Sequence, residues 1–546
     1  MFSLKWFRKN LPLILSTAII ICFLYNLLAQ NIPKTESFPV ASQPKVVEIG
    51  TNLTGVTDWS TQLPFIDGFK SSRRWIPQSK KKWNAGEFEQ LDLDKNGWVK
   101  SLPGANASQE YTFVGTLLYH KQNGHYPGGK YVVLYEGEGK IEYSYDGKKD
   151  IAASKPGRDV LNVTPSNAGI WLKITETDPK HKGNYIRNIH VLPQAYEKTY
   201  KTEIFNPLFL EKIQPFTTLR FMDWMKTNNS SQKEWSDRPT PDDSTWSPKG
   251  VPVEIMVALA NRLNVNPWFN MPHQATDDYV KNFATYVRDH LKPGLKVYVE
   301  YSNEVWNAQF KQFHWVEEQS PLNIYQTYGK RATQMMNIWD QVFGAKKQQV
   351  IGVMGGQTAN PWVIGQALKQ ANDSIDVIAI APYVGGYIGN SKYEQQVESW
   401  TRDPDGGLNK LFQEIFKGGV LTNGPSGGGL PKAWPSVAKL REISQKHHLP
   451  LVAYEAGQHL VGVGKVTNNQ AITKLFIEAN RDPRMREVYE QLITQWNQVL
   501  GGTLFMNFSD IGQPSKWGSW GALEYLEQKT SPKYQALLNK IHSSKS

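Results

Sequence analysis

Apolar and polar positions change rhythm along the chain, and the change marks where one kind of architecture gives way to another. From Val46 the segment VVEIGTNLTGVTDWS reads as a strand that runs into a polar loop. Between about 84 and 200 the period is two: EYTFVGTLLY, KYVVLYEGEGKIEYSY, GIWLKITET and YIRNIHVLP alternate and are separated by Asn-Gly, Gly-Gly, Asp-Gly and Pro-Gly turn signals. Such a run, with no amphipathic helix inside it, predicts an antiparallel β-sandwich. From about 206 helical and extended periods alternate. NPLFLEKIQPF, VPVEIMVALANRLN and DDYVKNFATYVRDHL read as helices, interleaved with the strands TLRFMDW, NPWFNMPHQ and KVYVEYSNEVWN. The alternation continues through the strands VIGVMGGQ, DVIAIAPYVGG, PLVAYEAGQ and GTLFMNFSD.

Counted from Val46, these make eight strands, separated by helices except where the sandwich intervenes. Eight βα units predict a parallel, closed (β/α)8 TIM barrel of the α/β class. The expected division is an N-terminal membrane anchor or signal segment over 1–30, a Pro-containing linker over 31–45, and the first barrel strand and loop over 46–83. The inserted antiparallel β-sandwich follows over 84–204, with carbohydrate binding as its candidate task, and the remaining barrel over 205–540. A barrel takes roughly 250 residues, so a chain of 546 has room for the insertion. The Gly-rich stretch GGVLTNGPSGGGLP at 418–431 reads either as a plain linker or as a mobile loop over the site.

Lys5, Arg8 and Lys9 precede an uncharged run of 19 residues from Leu11 to Ala29, close to the ~20 residues that span a bilayer. Two readings stand, a cleaved signal peptide with Ala29 at the cut and an uncleaved signal anchor. Both export the chain from about residue 31, either to a membrane-anchored site in the cell envelope with the N-terminus cytoplasmic or as a secreted protein. The single cysteine, Cys22, lies inside this run, so the exported part has neither disulfide nor thiolate metal site. The net charge is +11, and removing Lys5, Arg8 and Lys9 leaves +8 on the exported part. The basic residues are scattered, with Lys80–Lys82 the one run of three, and no nucleic-acid module is recognisable. Aromatics make up 12% of residues, with 19 Trp and 24 Tyr. They suit a large core and also suit stacking on sugar rings.

Barrel chemistry sits at the C-terminal ends of the strands. The fourth strand ends in Ser302-Asn303-Glu304-Val305-Trp306-Asn307 and the seventh in Glu455-Ala456-Gly457-Gln458. Each places an acid where an apolar run stops, a costly position unless the acid is used or paired. A lone glutamate there reads equally as a salt-bridge or cap residue. Two carboxylates facing each other across a sugar are what glycosidic cleavage requires: one protonates the leaving oxygen, and the other attacks carbon or activates water.

Asn303-Glu304 after the fourth strand, with Glu455 on the seventh, resembles the clan A glycoside hydrolases, the 4/7 superfamily. The resemblance covers about 46–75 and 205–535 and leaves the sandwich aside. It implies Glu304 as acid/base, Glu455 as nucleophile, and Asn303 as a partner of the sugar 2-hydroxyl. It also implies Arg220 as a residue that orients Glu455, and Tyr383 as a donor to it; an ordinary ion pair and a core tyrosine are the plainer readings of these two. The stretch SNEVWN is similar to bacterial exported proteins of the cellulose-binding type. His273 stands after the third strand, either to bind a sugar hydroxyl or help set the protonation of Glu304, or as a structural histidine. Trp517 and Trp520, in SKWGSWG after the eighth strand, are candidate stacking platforms. Trp59 and Trp306 are further candidates, and Asp58 and Asp223 read as either hydroxyl partners or helix caps. No metal or other cofactor is expected. The expectation is a retaining glycoside hydrolase or transglycosylase on a polysaccharide or oligosaccharide, with retention requiring carboxyl groups ~5–5.5 Å apart. A non-catalytic glycan-binding protein or an accessory of polysaccharide export is the alternative.

Overall fold

The computed structural model describes residues 47–104, 107–320 and 323–543. The expected anchor and linker lie outside them. Among the described residues no helix is long and apolar enough to cross a membrane.

Eight parallel strands form the centre: β1 (Glu48–Asn52), β2 (Thr218–Arg220), β3 (Asn266–Met271), β4 (Val297–Tyr301), β5 (Val350–Gly355), β6 (Val377–Ile380), β7 (Leu451–Gln458) and β8 (Leu504–Asn507). Each pairs with its sequence neighbours, and β1 pairs with β8 through Gly50 and Met506. The sheet is therefore a closed eight-stranded parallel barrel, the fold expected of the alternating pattern. Its strands are buried on both faces, which is why they read as nearly unbroken apolar runs. Gly50 marks a tight point inside: a Cβ there would stand 2.3 Å from Met506 Sδ and 2.7 Å from the Thr218 carbonyl oxygen.

Between β1 and β2 the chain makes two antiparallel sheets of four strands each. One is ordered Ile76–Gln78, Phe113–Leu118, Ile170–Thr177, Gly139–Tyr145, and the other Gly147–Lys149, Arg158–Val163, Gly129–Glu136, Arg187–Pro193. Alternate positions are buried, as in Ile170, Leu172 and Ile174, while Trp171 and Lys173 face outward. The first of these strands lies ahead of the boundary expected at 84, because three residues are too few to show a period. Four of the described helices also escaped the sequence pattern: Lys311–Gln319, Glu394–Trp400, Leu408–Lys417 and Pro532–Ser543.

The Gly-rich stretch is held rather than free. The buried Glu414 accepts the backbone N–H groups of Val420 (2.8 Å) and Leu421 (3.0 Å) and the Tyr387 hydroxyl (2.9 Å). Gly429 packs against the backbone of Gly385, two residues beyond Tyr383.

Candidate active site

Polar side chains gather at the C-terminal end of the barrel around one buried cation. Arg220, the last residue of β2, is fully buried. Its Nη1 donates to Glu455 Oε1 (2.9 Å) and Asn52 Oδ1 (3.0 Å), and its Nη2 to Glu300 Oε2 (2.9 Å) and Asn303 Oδ1 (2.9 Å). Burial opposes the guanidinium charge, but Glu300 and Glu455 outweigh it and hold Arg220 more firmly protonated than usual. Bonds from one planar cation to two carboxylates fix distances as well as charge.

Glu300 is one of the residues that sequence reasoning missed. It sits in the middle of β4, on the barrel side, and Oε2 also accepts from Trp268 Nε1 (3.0 Å) and Asn270 Nδ2 (2.8 Å). The available signal was an acid inside the apolar run VYVEY. Such a residue demands a buried partner, and Arg220 is that partner.

The loop after β4 is strained where the chemistry is expected. Ser302 and Glu304 have φ of +58° and +42°, values that non-glycine residues adopt at a cost of order 1–3 kcal/mol. Neighbours impose the bend: Asn270 Nδ2 donates to the Ser302 carbonyl (2.8 Å) and Gln312 Nε2 to the Asn303 carbonyl (2.8 Å). Glu304 is half-buried, with Oε1 accepting from the Tyr454 hydroxyl (2.8 Å) and Oε2 from Asn307 Nδ2 (3.0 Å).

Tyr454 and Glu455 are consecutive on β7, where regular pleating would send them to opposite faces. The register against β8 slips between Ala453 and Ala456, three residues spanning what two do on the partner. This bulge re-aims the strand, and both side chains reach the polar cluster: the Tyr454 hydroxyl bonds Glu304, while Glu455 meets Arg220. The Tyr383 hydroxyl donates to Glu455 Oε2 (3.0 Å). Burial pushes the Glu455 carboxyl up to about 7; Arg220 opposes this, the Glu304 charge adds to it, and the Tyr383 bond opposes it again. Burial, and then the nearby carboxylates, hold the Tyr383 and Tyr454 phenols protonated far above neutral pH, so both act as donors.

Trp520, Tyr383 and His459 line the rim edge to face. The Trp520 ring lies 5.9 Å from Tyr383 and 5.2 Å from His459. His459 was not singled out from sequence; it follows β7 by one residue, burial lowers its pKa, and its Nδ1 has no hydrogen-bond partner.

Other expected residues fall elsewhere. His273 is buried, and its ring forms no hydrogen bond to either carboxylate; it packs against Trp315, and burial with the Lys311 charge brings its pKa down to about 4. Trp517 is 67% exposed and joins the cluster only through its carbonyl, which accepts from Trp520 Nε1 (2.9 Å). Trp306 is buried against Tyr328 and Tyr454. Asp58 forms an ion pair with Arg73 (2.8 Å), whose guanidinium also lies over Trp59. Burial raises the pKa of Asp223.

No family model and no curated protein matches the chain. Among solved structures it is similar to a 4-O-alpha-L-rhamnosyl-beta-D-glucuronidase from Fusarium oxysporum 12S, at 12% identity and a TM-score of 0.35 over 61% of this chain and 64% of that one. The chain thus spans under two thirds of that enzyme. It is also similar to the GH53 catalytic domain of Ignisphaera aggregans, at 9% identity and a TM-score of 0.33 over 62% of this chain and 89% of that one. A trimodular GH5_4 subfamily endoglucanase matches at 13% identity and 0.32 over 61% and 55%. At these scores the likenesses carry no argument, and the barrel assignment rests on strand order and register.

Proposed function

We propose that the chain is a retaining glycoside hydrolase or transglycosylase that acts on an extracellular or envelope polysaccharide. One observation carries the reading. Two glutamates, one in the loop after the fourth barrel strand and one on the seventh, share one polar cluster in unequal settings. Glu455 alone receives a cation and a phenol; Glu304, on a strained loop, receives a phenol and an amide.

That inequality suits a division of labour. Arg220 and Tyr383 donate to Glu455 and favour its charged form. Glu455 attacks the anomeric carbon as the glycosidic C–O bond breaks, and Glu304 gives its proton to the leaving oxygen. A glycosyl ester on Glu455 results. Glu304 then takes a proton from water, or from a second sugar hydroxyl, as that oxygen attacks the same carbon and releases Glu455. Asn303, held by Arg220 and Asn228, would bond the 2-hydroxyl, and Trp520 would offer a face to a sugar ring. The inserted sheets would form a carbohydrate-binding sandwich. The basic, apolar N-terminal run supports export, with a membrane tether if it is uncleaved.

Proton NMR of the first product anomer tests the mechanism: the initial product keeps the substrate's anomeric configuration. Glu455→Gln leaves glycan binding in place and abolishes turnover. Inverted product, or full turnover by Glu455→Gln, would sink the assignment. Binding without turnover on a broad glycan panel would favour the accessory-protein alternative.

A further inference from the structure

The outward face of one inserted sheet carries aromatic rings that the candidate active site does not use. Trp83 is 44% exposed and Tyr145 49% exposed, and the half-buried Trp171 lies between them. Ring centroids are 4.8 Å apart for Trp83 and Trp171 and 5.4 Å for Trp171 and Tyr145, the latter pair stacked at 28°. Three rings therefore form one continuous row rather than scattered exposed residues.

The row is built, not incidental. Trp171 and Lys173 are two residues apart on one strand and so share a face. Trp171 Nε1 donates to Gln78 Oε1 (3.2 Å), and Gln78 Nε2 donates to the Trp83 main-chain carbonyl (2.8 Å), which ties the Trp171 indole and the Trp83 backbone to one buried amide. Gly115, on the strand between, leaves the space: a Cβ there would stand 2.6 Å from Trp171 Nε1 and 2.2 Å from Gln78 Oε1. The Lys173 ammonium lies over the Trp171 ring at 4.8 Å.

Charge decides what the row would take. Glu142 is shared by Lys140 (2.8 Å) and Lys173 (3.1 Å), and Lys82 pairs with Glu110. Lys80 and Lys81, in the exposed turn beside Trp83, enter no ion pair among the described residues. Flat π faces accept the C–H faces of sugar rings, and an unbalanced positive rim attracts negative charge. We infer that this face binds an anionic polysaccharide chain, its rings stacked on Trp83, Trp171 and Tyr145 and its acid groups toward Lys80 and Lys81. The inference extends the polysaccharide reading to a second site, and binding tests it separately from turnover.

The experiment measures retention of the full-length protein, in detergent, on immobilised polygalacturonate and on neutral cellulose. The wild type is retained on polygalacturonate at low ionic strength and released by about 0.5 M salt. Trp171→Ala lowers the affinity at least about fivefold, the low end for loss of one stacking ring. Lys80→Ser with Lys81→Ser weakens binding and flattens its salt dependence. Trp362→Ala, at an exposed tryptophan elsewhere (56%), binds as the wild type does. Unchanged retention of Trp171→Ala, equal or better retention on cellulose, or a Trp171-dependent affinity for phosphatidylserine vesicles in place of the polymer overturns the inference. Turnover of a small soluble glycoside stays unchanged in Trp171→Ala. A protein that binds polygalacturonate through Trp171 but turns over no glycoside removes the hydrolase reading and leaves this one standing.

Discussion

Replacing Glu455 by glutamine removes one titrating group and nearly preserves its shape, so the difference between the two proteins isolates what that carboxyl contributes to stability. Burial lifts the folded-state carboxyl from 4.5 to about 7, with Glu304 adding and Arg220 and Tyr383 opposing. In the unfolded chain it titrates near its ordinary value. Below about pH 4.5 both states are protonated and the group adds no pH dependence. Between about 4.5 and 7 the unfolded chain has released a proton that the folded chain still holds. The unfolded state then binds fewer protons, and stability falls as pH rises; above about 7 the loss is complete. A rise of this size corresponds to about 3 kcal/mol. For ~500 ordered residues the unfolding entropy is about 1 kcal/mol per kelvin, so the melting midpoint of the wild type should drop by about 3 °C relative to Glu455→Gln. Thermal midpoints of both proteins, taken in steps from about pH 4 to about pH 8, measure this. The reasoning is refuted by a constant gap, or by a wild type that gains on the variant as pH rises. A constant gap would mean that Arg220 and Tyr383 cancel burial, and a gain with pH that they outweigh it. The same lifted carboxyl predicts that the acid limb of kcat/KM lies near 7 in the free enzyme.

Further outcomes follow from the same contacts. Glu304→Gln keeps the fold and lowers kcat by about 10²–10⁴, the range for loss of a general acid/base, in steady-state assays on any glycoside that the wild type cleaves. Arg220→Met strands Glu300 and Glu455 in the barrel interior and costs about 3–5 kcal/mol in denaturant unfolding; an unfolding free energy within 1 kcal/mol of wild type would contradict the cluster. Glu414→Ala frees the Val420 and Leu421 amides and speeds limited proteolysis within 418–430, read by mass spectrometry of the fragments, while the barrel stays protected.

The strand at Val46 and the seven that alternate with helices from 206 onward make the eight-stranded parallel barrel legible in the sequence, because a parallel sheet covered on both faces needs continuous apolar runs separated by helices of a different period. The same pattern placed Glu304 after β4 and Glu455 on β7, since an acid at the end of an apolar run stands out. Glu300 did not stand out as part of the site. One acid in VYVEY gives no hint that its partner is Arg220, 80 positions away. His273 looked as suitable as Tyr383, yet its ring is buried beside Trp315 and bonds neither carboxylate; Trp517, beside Trp520 in the sequence, turns its ring to solvent.

Sequence determined what depends on local period: the strands, most helices, the sheet insertion and the residue types offered at each strand end. Tertiary structure decided which of those residues meet. Convergence on Arg220 depends on barrel closure. The bulge that turns Tyr454 and Glu455 into one cluster depends on register against β8, and the bend at Glu304 depends on bonds from Asn270 and Gln312. These are long-range constraints, set by how strands pair and pack, and a one-dimensional pattern of apolar and polar positions does not encode them. The two glutamates were legible because each broke its strand's pattern; their unequal settings, which the proposed mechanism uses, came from neighbours far away in the chain.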